Sequence, residues 1–248
     1  LVRGAVHAGK LKATTKPEPA DAFIIAVPTP IRENKQPDIS FVIASVEAIA
    51  PVLEKGNLII LESTSPVGTI EKILNIIKQA RTDLTIGQDG LSPGDLYFVH
   101  CPERVLPGKI ITELVESDRV IGGYTPECAK KAASLYQTFV RGEIFLTNDR
   151  TAEMTKLVEN AYRDVNIAFA NELSLICDEL NINVWSLIRY ANRHPRVNIL
   201  KPGPGVGGHC IAVDPWFIVA ASPEKAKLIT MARQVNESKP EFVIQKVL

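Results

Sequence analysis

Residues 151–180 contain neither proline nor glycine. Within them Met154, Leu157, Val158, Ala161, Val165, Ala168, Phe169, Leu173, Ile176 and Leu180 recur at helical spacing. The run predicts one helix of about 30 residues, about 45 Å long at 1.5 Å per residue. The pattern on either side of it differs, so a domain boundary is expected near residues 148–151.

Ahead of that boundary, short apolar runs alternate with helical patterns. Residues 23–27 (FIIAV), bounded by Asp21 and Pro28, read as a buried parallel strand. Residues 58–61, 97–100, 119–121 and 143–145 read as further strands. Asp38 is placed to cap a helix carrying Ile39, Val42, Ile43, Val46, Ile49 and Leu53 on one face, ended by Gly56. A helix over 68–80 follows, with Ile70, Ile73, Leu74 and Ile77 in register. Thr125 caps another, with Pro126 at its first position. The alternation predicts a parallel sheet with helices on its faces. Beyond the long helix, a second helix is expected over 184–191 and a third from Ser222-Pro223-Glu224.

Composition limits the function classes. Lys plus Arg and Asp plus Glu are 28 each, so the net charge is +0. That balance excludes binding of nucleic acid by bulk charge, and no nucleic-acid partner is expected. The longest apolar runs are far too short to cross a bilayer, and no signal-like segment opens the chain. Four cysteines, Cys101, Cys128, Cys177 and Cys210, form no C-x-x-C pair. They read as free thiols of a reducing compartment, the cytoplasm.

In open α/β sheets ligands bind beyond the carboxyl ends of the strands. Three strands here end in stiff, polar loops: Pro28-Thr29-Pro30, residues 62–68 (ESTSPVG) and residues 101–108 (CPERVLPG). Pro, Ser and Gly are also ordinary loop residues. Three such loops on one edge favour a binding cleft.

Residues 203–208 match G-x-G-x-x-G in letters. A dinucleotide fingerprint follows a buried strand and opens a long helix. Here Asn198-Ile199-Leu200-Lys201-Pro202 leads in and Pro215 interrupts the continuation, so the segment reads as a substrate loop. Cys210 follows directly. A thiolate is an effective nucleophile toward a carbonyl carbon, and Asp214, four residues on, is placed to orient a base or a water. Cys128 and Cys177 sit in helical patterns and read as buried and inert. The pairs His100-Cys101 and His209-Cys210 lack zinc spacing, so no metal is expected. Lys156 and Asn160, at i and i+4, share a helix face that is either simply solvated or able to bind an oxyanion.

Together, Val27-Pro28-Thr29-Pro30, residues 63–68 (STSPVG), Pro102-Glu103, residues 156–160 (KLVEN) and Gly207-Gly208-His209-Cys210 through Asp214 resemble the UDP-glucose/GDP-mannose dehydrogenase family. Residues 101–108, 163–177 and 194–217 resemble its N-acetylated-sugar branch. The resemblance implies an enzyme using NAD and a UDP-sugar substrate, oxidising the C6 alcohol of an N-acetylated UDP-hexose to the uronic acid through a cysteine thiohemiacetal and thioester. UDP-N-acetylglucosamine and UDP-glucose are the other substrates left open, and a non-catalytic dimerisation module is the alternative for this chain by itself. It implies Cys210 as nucleophile and Lys156 and Asn160 as oxyanion partners. It implies Asp214 and Thr64 as organisers of water and protons, and Glu103 as acid/base in hydrolysis. Val27, Pro28, Thr29, Ser63 and Thr64 are implied at the cofactor. Glu103, Arg104, Val105, Leu106, Lys156, Asn160, Arg196, Leu200, Gly203 and Gly205 are implied at the substrate.

The fold implied is a partial Rossmann-like parallel sheet followed by an all-helical dimerisation domain with a long central helix. Residues 1–148 are expected to be the C-terminal part of the NAD-binding domain, and residues 149–238 the helical central domain of a homodimer. Residues 239–248 are expected to begin a truncated nucleotide-sugar domain. Two positions depart from UDP-glucose-oxidising members. Pro107 stands where a second glutamate occurs, and Val213 where a lysine is common. Residues 1–12 are expected to be the tail of the connection that follows the family's opening strand, G-x-G-x-x-G and helix.

Overall fold

A computed structural model describes residues 2–87, 92–105 and 108–248. Five strands lie side by side in chain order: β1 (Ala22–Ile25), β2 (Leu58–Leu61), β3 (Tyr97–His100), β4 (Arg119–Gly123) and β5 (Ile144–Asn148). β1, β2 and β3 pair in parallel, with Ala22 opposite Leu58 and Leu58 opposite Tyr97. β4 pairs with β5 in parallel but runs antiparallel to β3, with His100 opposite Gly122. The all-parallel expectation therefore fails at one junction. A parallel pair needs a connection that crosses a sheet face, usually a packed helix. The only described helix between β3 and β4 is the short α4 (Ile110–Glu116), which buries no residue.

Strand periodicity places alternate residues on opposite faces. On one face Ile59, Leu61 and Phe98 pack against Val42 and Val46 of α2 (Ser40–Ile49) and Ile70, Ile73 and Ile77 of α3 (Thr69–Ala80). On the other, Leu58, Ile60, Val99 and Ile121 pack against Cys128, Ala129, Ala132 and Tyr136 of α5 (Pro126–Tyr136). Each such aliphatic side chain contributes about 1.5–3 kcal/mol on burial. Of the caps read from sequence, Thr125 is the N-cap of α5, whereas the N-cap position of α2 is Ile39 and Asp38 stands one residue ahead of it. Asp38 accepts from the Ser40 amide at 3.0 Å, and Thr125 accepts from the Cys128 amide at 3.3 Å.

α6 (Asp149–Glu179) is the long helix, 31 residues in one piece, capped by the Asn148 side chain accepting from the Thr151 amide at 2.8 Å. Its apolar positions divide. Leu157, Ala161 and Ala168 are buried, while Met154, Val158, Phe169, Ile176 and Leu180 are exposed. α7 (Val184–Ala191), α8 (Asp214–Ala221) and α9 (Lys227–Val247) follow. Phe217 and Ile218 of α8 seal against Leu157 and Ala161 of α6.

Two helix starts differ from expectation. Ser222-Pro223-Glu224 forms a turn, closed by the Ala226 amide donating to the Ser222 carbonyl at 3.0 Å, and α9 starts at Lys227. Pro215 does not interrupt the chain but lies in the first turn of α8. A proline is tolerated there because the amide it lacks has no intrahelical partner. The short exposed helix α1 (Val2–His7) had no periodic signal.

Glycines set how closely α5 and α6 approach β4. A Cβ on Gly122 would stand 2.4 Å from the Ala152 Cβ and 2.5 Å from the Asn148 carbonyl oxygen. Overpacking of that kind costs about 1–3 kcal/mol. Gly122→Ala is expected to lower the unfolding free energy by that amount, read as a lower urea midpoint with the denaturant slope unchanged, while Gly4→Ala, with open space around it, leaves the midpoint where it was. Equal midpoints for wild type and Gly122→Ala would refute this packing.

Candidate active site

Three segments converge beyond the carboxyl ends of β1 and β2. They are the loop after β1, the loop after β2, and the stretch leading into α8. Val27, Pro28, Thr29, Pro30, Ile31, Thr64, His209, Cys210, Val213 and Asp214 line a cleft of about 480 Å³, within the range of small-molecule sites.

Cross-strand bonds hold the first two segments. The Val27 amide donates to the Ser63 hydroxyl at 2.7 Å, and the Thr29 hydroxyl donates to the Thr64 carbonyl at 2.5 Å. Glu153 of α6 accepts from the amides of Gly68 at 2.6 Å and Ile70 at 2.9 Å, pinning the far end of the β2 loop. Burial pushes the Glu153 carboxyl up to about 7, although both amides favour its charge. Sequence reasoning passed over Glu153. The available signal was its place in line with Leu157 and Ala161 on the buried face of α6, where a carboxylate needs partners.

One and two turns farther along α6 come Lys156 and Asn160. The Asn160 amide nitrogen donates to Asp214 Oδ2 at 2.5 Å, inside the protein. Burial is the largest influence on Asp214 and pushes its carboxyl up to about 6; the Asn160 bond and the Lys156 charge oppose it. Asp214 and Cys210 are tied through backbone. The amides of Val213 and Asp214 both donate to the Cys210 carbonyl, at 3.0 and 2.9 Å. Cys210 is exposed, whereas Cys101, Cys128 and Cys177 are free but buried. Burial pushes the Cys101 thiol up to about 11, away from the thiolate that a nucleophile needs. The structure thus brings Cys210, Asp214, Asn160 and Lys156 together with Val27, Pro28, Thr29, Ser63 and Thr64.

Other residues singled out from sequence stand apart from this cleft. Glu103 does not line it. Its Oε1 accepts from the amides of Arg104 at 2.6 Å and Val105 at 3.0 Å, and its Oε2 pairs with buried Arg119 at 3.2 Å. Arg119 in turn lies over the Tyr136 ring, whose hydroxyl donates to Glu62 at 2.6 Å. Arg104 pairs with Glu159 of α6 at 2.8 Å. Leu106 lies outside the described residues. Arg196 is exposed, on the segment between α7 and α8 that also carries Leu200, Gly203 and Gly205. Gly203 is fastened there, its amide donating to Asn171 Oδ1 at 2.8 Å. Among the described residues no three His, Cys, Asp or Glu side chains converge to hold a metal ion. No described helix is long and apolar enough to cross a membrane.

Comparison with known proteins gives this geometry its context. The NAD binding domain of the UDP-glucose/GDP-mannose dehydrogenase family matches residues 1–140, and the family's central domain matches residues 150–238. The chain belongs to the UDP-glucose/GDP-mannose dehydrogenase family. In this family assignment, the glycine-rich segment 203–208 falls in the central domain and not in the NAD binding domain. The chain is 62% identical over 247 residues to an NDP-N-acetyl-D-galactosaminuronic acid dehydrogenase of Ralstonia nicotianae. It is 60% identical over 247 residues to the UDP-N-acetyl-D-mannosamine dehydrogenase of Yersinia pestis. Both matches take in 100% of this chain, but 58% and 59% of those relatives' lengths. A solved UDP-D-ManNAc dehydrogenase from Pyrococcus horikoshii superposes with a TM-score of 0.90 at 43% identity, over 98% of this chain and 57% of that one.

The raised carboxyl of Asp214 has a defined effect on stability. A carboxyl that binds its proton more tightly when folded than when unfolded makes stability fall as pH rises between the two pKa values. For Asp214 that window runs from 3.8, its ordinary value, to about 6. Asp214→Asn is expected to remove this loss, worth at most about 3 kcal/mol, so the variant gains on wild type as pH rises from 4 to 6. Urea titrations at both pH values check it, and parallel curves would refute a raised Asp214.

Proposed function

We propose that the protein is an NAD-dependent 6-dehydrogenase that oxidises UDP-N-acetyl-D-mannosamine to the corresponding uronic acid, a precursor of bacterial surface polysaccharide. One observation carries the reading. An exposed cysteine opens into a cleft beside a buried Asp–Asn pair and a lysine. The 60% identity to enzymes named for that substrate supports the choice of sugar. A second reading, an N-acetylgalactosamine nucleotide, is favoured by the 62% identity to the Ralstonia relative.

The cleft suits the cofactor. Its walls at the strand ends are Val27, Pro28, Pro30 and Ile31, apolar surfaces for a flat ring, with Cys210 at one side. NAD, when bound, supplies the hydride-accepting capacity, needed twice when an alcohol becomes an acid. Val27, Pro28 and Thr29, with Ser63 and Thr64, would hold it.

Cys210 adds its sulfur to the aldehyde carbon and retains that carbon until it is a thioester, so no free aldehyde escapes. Lys156 and Asn160 donate to the oxygen as it gains negative charge. Water then attacks the thioester carbon, supplying the second acid oxygen and releasing the thiol. Asp214, with its carboxyl near 6, accepts a proton at neutral pH. Glu103, bonded to Arg119 and two loop amides, shapes the loop that carries Arg104 and Val105 toward the sugar nucleotide. Arg196 and residues 200–205 complete the substrate's surroundings. The exposed apolar residues of α6, Met154, Val158 and Phe169, form the face of a homodimer. We assign residues 1–148 to the cofactor domain and 149–238 to the central domain, and place the enzyme in the cytoplasm.

NADH formation by the full-length protein is expected to be fastest with UDP-N-acetylmannosamine in a panel including UDP-N-acetylgalactosamine, UDP-N-acetylglucosamine and UDP-glucose. A preference for another sugar rejects the substrate assignment. Cys210→Ser is expected to abolish acid formation, with Cys128→Ser and Cys177→Ser retaining it. Normal acid output from Cys210→Ser would eliminate the thioester route.

A further inference from the structure

The α6–α9 interface contains a polar chain whose outer end is the loop ahead of Cys210. Arg233 of α9 and Asp164 of α6 are both buried and pair at 2.7 Å. Asn236, one turn along α9, donates through Nδ2 to Asp164 Oδ1 at 2.8 Å and to the Asp164 carbonyl at 3.0 Å. With its nitrogen committed, Asn236 presents Oδ1 to Asn171, which donates Nδ2 to it at 2.8 Å. Asn171 therefore has only one orientation available. Its Oδ1 points at the loop and accepts from the Gly203 amide at 2.8 Å. Both asparagines are buried, so reversing either amide would set like poles together without water to compensate.

The loop is seated at a second point. Gly205 has φ +145°, and a Cβ there would stand 2.9 Å from Pro240 Cγ and 3.4 Å from the Asn236 carbonyl oxygen. Pro240 lies inside α9 and has no amide to donate to that carbonyl. The loop thus rests against α9 where the helix ladder is interrupted, two residues after its bond to Asn171.

We propose that Asn171 is a positioning residue for the nucleotide sugar: oriented by the Arg233–Asp164–Asn236 relay, it fixes the Gly203–Gly205 loop in the place where the substrate is bound. This rests on the proposed function of that loop. Asn171 does not line the cleft and takes no part in the chemistry. Its effect passes through Gly203.

The test uses the full-length protein with Asn171→Leu, which keeps the branched shape and removes both the acceptor for Gly203 and the donor to Asn236. A second variant, Gly205→Ala, presses the loop off Pro240 and leaves the side chains of the buried relay unchanged. With UDP-N-acetylmannosamine, each is expected to raise the sugar KM about tenfold, with kcat and the NAD KM changing by less than about twofold. In hydrogen exchange on Asn171→Leu, the Gly203 amide is expected to lose protection while the α6 amides keep theirs. An unchanged sugar KM in folded variants would overturn the inference. So would a joint fall in kcat and rise in both KM values, the mark of general destabilisation. If the wild-type protein oxidises no nucleotide sugar, the enzymatic reading itself fails, whatever Asn171 does. If wild type is active and both variants match it, only the positioning role fails.

Discussion

The bond from Glu153 to the amides of Gly68 and Ile70 joins the two parts of this molecule at the place where the site needs them joined. The sheet delivers one wall of the cleft, the loops after β1 and β2. α6 delivers the other chemistry, Lys156 and Asn160, one and two turns beyond Glu153. A carboxylate accepting two amides at the start of α3 fixes both the position of that helix and the axial register of α6 against the sheet. Apolar contact alone is non-directional and would tolerate some sliding of α6. Two short hydrogen bonds in a buried setting do not.

Desolvation then determines the electrical character of the site. Glu153 and Asp214 are both carboxyls whose burial outweighs the donors around them, so each sits closer to neutral pH than an ordinary carboxyl. Their surroundings differ in consequence. Glu153 faces backbone amides and holds structure, whereas Asp214 borders the cleft, four residues from the exposed thiol. Arg233 with Asp164, deeper in the α6–α9 interface, shows the costly extreme, a fully buried ion pair that is weak evidence for stability and better evidence for a defined geometry.

Much of the fold was legible in the chain. β2 and β3 stand where the apolar runs placed them, and α7 has the predicted bounds. The long helix was legible because nothing in residues 151–180 breaks it. Pairing direction was not legible, because a strand's own residues do not encode the direction of its neighbour; that depended on the connection through α4 packing nothing. α8 was hidden because Pro215 was read as a break, and only its place in the first turn makes it acceptable. At the site, Cys210 and Asp214 were legible from local spacing. Glu153, Arg119 and Asn171 were not, because a polar residue acquires such a role from partners that are distant in sequence, 83 residues away for Glu153 and Ile70.

By its order of residues alone, this protein commits to strands alternating with helices, a rod of about thirty residues behind them, and a cysteine after a glycine-rich loop. Those are consequences of periodicity, of breakers and caps, and of local chemistry, all short-range. Folding settles which thiol is exposed, which carboxyls are buried and which asparagine can point in only one direction. Solvent exclusion and hydrogen-bond pairing act across space, and no window of neighbouring residues contains both partners.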